Sequence, residues 1–152
     1  MIKVWLMRHG EASFGGKDDF SRELTQRGSF QSAQVINRLK AGGDHVDCVV
    51  ASPLVRAQQT ARIASDLLGV AVITFDGLKP ESDPADFIDW AEKQHLNNCL
   101  IVTHMPFVGD LYSLAVRGNY LDSEPFGTSQ LVGISADLWG AGCFSASGII
   151  LA

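Results

Sequence analysis

Four side chains suited to binding and attacking a phosphoryl group stand at three separate places in the sequence. Arg8 and His9 follow an apolar run, Arg56 lies just after a Ser-Pro pair, and His104 follows another apolar run. Guanidinium groups bind phosphate oxygens through charge-assisted, often bidentate hydrogen bonds. A neutral imidazole is a nucleophile near pH 7, and a protonated one stabilises negative charge in a transition state. These residue types are suited to binding a phosphoryl group, with one imidazole as a nucleophile and a second one stabilising the charge on the oxygens.

Each of these residues also has a purely structural explanation when it is taken alone. Arg8 and Arg56 can be surface cations. His9 can be a hydrogen-bonded residue at a strand end, and His104 a buried histidine. A cation in the first turn of a helix is unfavourable unless it meets an anion, because the helix N-terminus carries positive partial charge. Separate structural roles do not explain why all four residues follow predicted strands, so an anion site is the better interpretation.

Short apolar runs alternate with longer amphipathic segments along the chain, and this pattern is typical of an α/β protein. The first run, 2–7, has too little polar alternation for a half-exposed strand and is predicted to be buried. Helices are predicted after the capping residues Thr25, Ser52 and Asp83, the last two being followed by proline. The other predicted strands are 46–51, 70–75, 99–103, 130–135 and 144–151, with a further helix at 107–116.

This alternation predicts a three-layer α/β/α fold with a mostly parallel sheet and helices on both faces. The last two strands are close in sequence and are expected to form an antiparallel pair at an edge. The helix after Thr25 is expected to bury an apolar side that includes Phe30 and Ile36. A chain of 152 residues fits one domain, so we expect a single domain over residues 1–152.

Ligands of an open parallel sheet bind beyond the carboxyl ends of its strands, and the candidate residues follow three such ends. Arg8 and His9 follow the first predicted strand, Ser52 and Arg56 the second, and His104 the fourth. A helix that begins at Ser52 would direct free backbone N–H groups and its positive dipole end toward a bound anion. We therefore expect these residues to meet at one edge, with Ser52 as an additional substrate-binding residue.

The composition is that of an ordinary globular protein and argues against several classes of function. The formal net charge is −5 and no basic stripe is present, which argues against general nucleic-acid binding. The apolar start is too short for a signal peptide or a membrane span, so we expect a cytoplasmic protein without a membrane partner. Cys48, Cys99 and Cys143 are widely spaced, and we expect reduced thiols. The sequence predicts neither a metal site nor a cofactor and does not indicate an oligomeric state.

The candidate residues lie within three short motifs. The motifs are Arg8-His9-Gly10-Glu11-Ala12, Ser52-Pro53-Leu54 with Arg56-Ala57 and Thr60, and His104-Met105-Pro106. Together and in this order they resemble the histidine phosphatase superfamily, also called phosphoglycerate-mutase-like, over nearly the whole chain. The small SixA-type phosphohistidine phosphatases are the members that look most similar. The resemblance implies a phosphatase in which His9 is the nucleophile and Arg8, Arg56 and His104 form the phosphate pocket.

Two further residues have open roles under this resemblance. Segment 19–25 corresponds to a part of the small members in which an arginine lies near the entrance. Arg22 therefore either contacts substrate or pairs with Asp19 in a solvated loop. Larger members carry a glutamate that protonates the leaving alkoxide, and Glu81 is the best candidate for this general acid here. Glu81 is equally explained as an acidic residue ahead of the helix at Asp83, and SixA-type enzymes are similar in lacking a clear counterpart.

The doubtful acid and the short chain indicate the class of substrate. The leaving group of a phosphohistidine is an imidazole with a reference pKa of about 6.5, which needs less protonation than an alkoxide. No long insertion is present to form a lid, and 13–23 is the only sizeable loop near the predicted site. We therefore expect an uncovered pocket that admits a side chain presented by another protein.

These observations predict a phosphatase that hydrolyses phosphohistidine on a phosphorelay or phosphotransfer protein of signal transduction. One alternative is a small-molecule phosphomonoesterase of the same fold. Another is a phosphate-binding interaction module without turnover, which the intact arginines and histidines of the motifs argue against. Phosphoglycerate mutase activity is disfavoured, because an open pocket lets water reach the intermediate.

Overall fold

A six-stranded sheet runs through the computed structural model, which describes residues 1–152. Its strands are β1 (Ile2–Arg8), β2 (Cys48–Ala51), β3 (Ala71–Thr74), β4 (Cys99–Thr103), β5 (Leu131–Ala136) and β6 (Ser145–Ile150). The helices are α1 (Gln26–Ala41), α2 (Val55–Leu68), α3 (Pro84–Lys93) and α4 (Phe107–Tyr112). A short 3₁₀ turn, Asp76–Leu78, precedes α3, and a π-helical turn, Ser113–Arg117, continues α4.

The order of the strands in the sheet is β3-β2-β4-β1-β5-β6. β1 pairs in parallel with β4, β4 with β2, and β2 with β3. β5 runs antiparallel to β1, and β6 runs antiparallel to β5 at the edge. The predicted mostly parallel sheet with an antiparallel C-terminal edge pair is therefore confirmed.

Alternating residues of the central strand β1 belong to two separate hydrophobic cores, one on each face of the sheet. Val4 and Leu6 pack in the core that contains α3 and α4. Trp5 and Met7 pack in the core that contains α1 and α2. The central strands are buried on both faces, which explains their nearly continuous apolar sequence and confirms the three-layer arrangement.

Two local predictions are wrong. Ser52 does not cap α2: the helix begins at Val55 with Leu54 before it, and no side chain caps its first turn. The Ser52 hydroxyl instead lies 2.7 Å from a ring nitrogen of His104, so a tertiary contact replaces the local one. Phe30 is 64% exposed, because α1 buries the adjacent face that includes Ile36. Thr25 and Asp83 do cap their helices as predicted.

The three cysteines are free thiols, as expected from their spacing. Cys48 and Cys99 begin the neighbouring strands β2 and β4, and their sulfur atoms lie 3.7 Å apart. Cys143 is exposed. None of the helices is both long and apolar enough to cross a membrane.

Gly28 allows α1 to pack directly on the chain that leaves β1. A Cβ atom at this position would lie 2.9 Å from the backbone carbon and nitrogen of Glu11, and closer still to its carbonyl oxygen. The neighbouring Gly10 is equally confined, since a Cβ there would lie 2.8 Å from the Gly28 carbonyl oxygen. Backbone atoms cannot move aside as a flexible side chain can, so the contact fixes the residues that follow β1.

We expect Gly28→Ala to lower the free energy of unfolding by about 1–3 kcal/mol, as overpacking of a tight contact does. Urea-induced unfolding followed by circular dichroism measures this change. Gly15→Ala is the matched control, because no atom lies within 4 Å of a Cβ built there. Equal stability of the two variants would contradict the role assigned to the Gly28 contact.

Candidate active site

The chain brings two histidines together where β1 and β4 end side by side. His9 follows β1 and His104 follows β4, and the His9 backbone N–H donates to the Thr103 carbonyl at 2.9 Å. The centroids of the two imidazole rings lie 5.0 Å apart. His9 is 6% exposed and His104 is 1% exposed, so both rings are largely removed from water.

Arg56 lies in the first turn of α2, the helix that follows β2, and its side chain reaches the two histidines from there. Its Nε donates a hydrogen bond to His9 Nε2 at 3.2 Å. The other ring nitrogen, His9 Nδ1, lies 2.7 Å from the Gly10 carbonyl oxygen, which can only accept. The proton of His9 is therefore on Nδ1, and the lone pair of Nε2 accepts the hydrogen bond from Arg56. Arg8, His9, Arg56 and His104 meet at one edge of the sheet, as the sequence predicts.

Backbone contacts hold Arg8, His9 and Gly10 in place. Thr60 Oγ1 accepts from the Gly10 N–H at 3.1 Å and donates to the Arg56 carbonyl at 2.8 Å, which links the β1 end to α2. The Ser129 N–H donates to the carbonyls of Arg8 and His9 at 3.0 and 3.2 Å. The nucleophile candidate thus has its backbone fixed from both sides.

Ser52 is completely buried and positions His104. Its Oγ lies 2.7 Å from His104 Nε2 and accepts from the Leu54 N–H at 3.3 Å. The hydroxyl proton can be donated to His104 Nε2, and in that tautomer the imidazole proton is on Nδ1. His104 Nδ1 is buried without a hydrogen-bond partner in the protein.

Burial and positive neighbours dominate the electrostatics of the site. Burial lowers the pKa of His9 to about 4, and the charges of Arg56 and Arg8 act in the same direction. Burial, with smaller effects of His9 and Arg56, lowers the pKa of His104 to about 3. The pKa of Arg8 is also lowered, by burial and by Arg56. The site is therefore a cluster of cations and neutral imidazoles that a bound anion would stabilise.

The guanidinium group of Arg8 has a hydrogen-bond partner at one nitrogen and none at another. One of its terminal nitrogens, Nη1, donates to the Phe126 carbonyl at 2.8 Å. Its Nε is buried and has no hydrogen-bond partner. A buried donor without a partner is costly in a folded protein and often marks the place of a ligand or an ion. Arg8 Nε is such a donor, and His104 Nδ1 is a second buried polar atom of the site without a partner.

The loop 13–23 lies against Arg56 of α2. Arg56 Nη1 donates to the Asp19 carbonyl at 2.7 Å, and Nη2 pairs with the Asp19 carboxylate at 3.2 Å. The same carboxylate pairs with Arg22 at 3.1 Å, and Arg22 also covers the ring of Phe14 at 4.4 Å. Of the two roles left open for Arg22, the structure contains the pairing with Asp19.

The site is closed in this arrangement, which differs from the uncovered pocket expected from the short chain. The structure has five surface cavities, and none of them is lined by His9, Arg56 or His104. The sequence shows that no long insertion is present. It does not show that the short loop itself folds onto Arg56.

Glu81 stays apart from these residues. It is exposed, and no hydrogen bond or ion pair joins its side chain to the site. Conversely, the sequence reasoning overlooked the Phe126 carbonyl, the buried Ser129 and the contact of Asp19 with Arg56. Backbone groups of this kind leave no signal in residue type, since every residue carries a carbonyl. The sequence indicated Asp19 only as a partner of Arg22.

Comparison with known proteins agrees with the geometry. The family model of the histidine phosphatase superfamily (branch 1) matches residues 4–81, just over half of the chain. Phosphohistidine phosphatase SixA of Escherichia coli is 28% identical over 152 residues, covering 95% of this chain and 91% of the relative. A SixA homologue of Haemophilus influenzae is also 28% identical, covering 86% of this chain and 88% of the relative.

A solved structure supports the same assignment. The structure of the protein histidine phosphatase SixA complexed with tungstate superposes with a TM-score of 0.88 at 25% identity, covering 98% of this chain and 96% of that one. The phosphoglycerate-mutase-like fold predicted from the motifs is confirmed by this likeness. The chain belongs to the histidine phosphatase superfamily, and it is a SixA-like phosphatase of that family.

Proposed function

We propose that this protein hydrolyses phosphohistidine on a phosphorelay or phosphotransfer protein through a covalent phosphohistidine at His9. The observation that carries the proposal is that the site combines a nucleophilic lone pair with buried polar atoms that lack partners. The lone pair of His9 Nε2 is contacted by the Arg56 N–H alone, and Arg8 Nε and His104 Nδ1 are buried without hydrogen-bond partners. A phosphoryl group supplies both the electrophile that the lone pair needs and the oxygens that the donors need.

The first step transfers the phosphoryl group to the enzyme. His9 Nε2 attacks phosphorus and forms a new P–N bond, while the P–N bond to the substrate imidazole breaks. The electron pair of the broken bond stays on the substrate nitrogen, which takes up a proton from solvent. In the second step water attacks phosphorus, the bond to His9 breaks, and inorganic phosphate and the neutral imidazole of His9 are restored.

The remaining residues stabilise the charge that the phosphoryl oxygens carry in both steps. Arg8 and Arg56 bind the oxygens with charge-assisted hydrogen bonds. His104 donates from Nδ1, and Ser52 holds it in that tautomer through the contact at Nε2. In this proposal Ser52 positions His104 and does not bind substrate with backbone groups of a helix N-terminus, since α2 begins only at Val55.

The site contains no obvious proton donor for a leaving alkoxide, which supports a phosphoramidate substrate. Glu81 lies exposed and without a contact to the site. Both imidazoles are neutral in the resting protein because burial lowers their pKa. A leaving imidazole has a reference pKa of about 6.5 and therefore departs with less assistance than an alkoxide. The SixA relatives, which are named as phosphohistidine phosphatases, support the same substrate class.

His9→Ala should abolish the phosphoenzyme and the hydrolysis of a radiolabelled phosphohistidine protein, because His9 is the nucleophile of the proposed reaction and the second imidazole, His104, is held by Ser52. The wild type should form an acid-labile, alkali-stable phosphoenzyme, detected by electrophoresis after rapid quenching. His45→Ala is the control, since His45 is exposed, pairs with Asp47 and precedes β2, whereas the site residues follow the strands. Full activity of His9→Ala would contradict the mechanism. Faster turnover of phosphate esters than of the phosphohistidine protein would contradict the substrate class alone.

Glu81→Gln should leave turnover of the phosphohistidine protein nearly unchanged, because the leaving imidazole needs little protonation. Steady-state rates of the variant and of Glu92→Gln, an exposed glutamate of α3, provide the comparison. A loss of about 100-fold or more in Glu81→Gln alone would identify Glu81 as a general acid.

The pH dependence of the two imidazoles follows from their lowered pKa values. His9 should titrate near pH 4 and His104 near pH 3, so the neutral, nucleophilic form of His9 dominates at every pH above about 4. NMR titration of the ring C–H signals, assigned with the His9→Ala variant, measures both midpoints. Inorganic phosphate should move the midpoints upward, because a nearby anion favours the charged imidazole. A His9 midpoint near 6.5 without phosphate would contradict the burial argument.

A further inference from the structure

Asp19 accepts a hydrogen bond from each outer nitrogen of Arg56, the arginine that faces His9. Its carbonyl accepts from Nη1 and its carboxylate accepts from Nη2, while the third nitrogen, Nε, donates to His9. Asp19 is the only acidic residue that forms an ion pair with Arg56. In the proposed reaction these same guanidinium donors bind the phosphoryl oxygens, so Asp19 and the substrate compete for one group.

Arg56 and His9 are both buried, so Asp19 also limits access to them. Arg56 is 4% exposed and His9 is 6% exposed, and no cavity reaches either of them. The Asp19 side chain, in contrast, is 65% exposed. Asp19 covers the outer nitrogens of Arg56, and its exposed side chain has solvent to move into when a phosphoryl group approaches them.

The loop that carries Asp19 is fixed at its base and lightly held at its tip. At the base, Ala12 bridges to Leu24 and the Ser13 N–H donates to the Glu23 carbonyl at 2.8 Å. At the tip, the contacts to α2 are those of Asp19 with Arg56 and of the Phe20 carbonyl with the Val55 N–H, at 3.1 Å. Gly15 and Gly16 lie between these two parts.

We propose that Asp19 is an internal competitor of the phosphoryl group: it neutralises Arg56 and Arg22 in the resting site, leaves when the phosphoryl group binds, and returns to expel the phosphate product. This proposal rests on the proposed function and concerns the affinity of its site. It also assigns Arg22 two states: paired with Asp19 in the resting site, and free to contact the incoming anion once Asp19 has left.

The sign of the electrostatic effect distinguishes a competitor from a support. A carboxylate that only aligned Arg56 would make the site bind anions better, and its removal would weaken binding. A competing carboxylate repels the phosphoryl dianion and occupies its donors, so its removal tightens binding. Both arginines keep their charge when Asp19 is neutralised, because guanidinium groups stay protonated in proteins.

The test is the binding of inorganic phosphate to the full-length Asp19→Asn variant, measured by isothermal titration calorimetry. The amide preserves the size of the side chain and the carbonyl contact to Arg56. We expect the dissociation constant of phosphate to fall about three- to tenfold, as removal of one repelling charge at a partly solvated site should produce. Product inhibition by phosphate should strengthen by the same factor.

Asp18→Asn is the matched control. Asp18 lies in the same loop and carries the same charge, but its carboxylate accepts from Ser21 and contacts neither arginine. Equal tightening in both variants would reduce the effect to net loop charge and overturn the competition. Weaker phosphate binding in Asp19→Asn would overturn it as well, by showing that Asp19 supports Arg56.

The double variant Asp19→Asn/Arg22→Gln tests the part assigned to Arg22. The gain in phosphate affinity should be partly lost in this variant, and a gain that persists in full would overturn the second state of Arg22. Phosphate binding is measured without turnover, so it is independent of the substrate and of the role of His9. If phosphate bound to neither the wild type nor Asp19→Asn, the anion site itself would be refuted, and the proposed function with it.

Discussion

Two guanidinium groups and two imidazoles are held in a nearly closed site with one carboxylate beside them, and most features of the site follow from this imbalance. Burial disfavours the charge of Arg8, and the nearby charge of Arg56 acts in the same direction. The protein offsets part of this cost with carbonyl oxygens, those of Phe126 for Arg8 and of Asp19 for Arg56. The imidazoles respond by remaining neutral. An anion that binds there would offset the remaining cost of burying these charges.

The fold satisfies this constraint because three parallel strands end side by side. β1, β4 and β2 are consecutive in the sheet, so the residues that follow them meet without a long connection. On the other side of β1 lies β5, which pairs with β6 at the edge. Ser129 comes just before β5, and its N–H donates to the Arg8 and His9 carbonyls. The absence of a side chain at Gly10 and Gly28 lets α1 close on the same backbone.

The sequence predicted the parts of this arrangement that depend on residue type and periodicity. Apolar runs located the strands, and the positions of Arg8, His9, Arg56 and His104 after them placed the site at one sheet edge. What escaped prediction depends on tertiary contacts between common groups. Ser52 resembles a helix cap in sequence, but a buried imidazole nitrogen competes for its hydroxyl at 2.7 Å. The Phe126 carbonyl has no signature, and the fold of the loop at Asp19 is set by Arg56, which lies 37 residues away in sequence.

The same electrostatics determine the protonation state of carboxyl groups close to the arginines. Hydrogen bonding to Arg22 lowers the pKa of Asp19, and the charge of Arg56 lowers it further. Any carboxylate within reach of these arginines is therefore ionised near pH 7 and cannot donate a proton. Glu81, the candidate general acid, lies exposed outside the arginine cluster and contacts none of its residues. A site that concentrates positive charge so closely around its nucleophile is thus suited to leaving groups that depart with little protonation, and an imidazole is such a group.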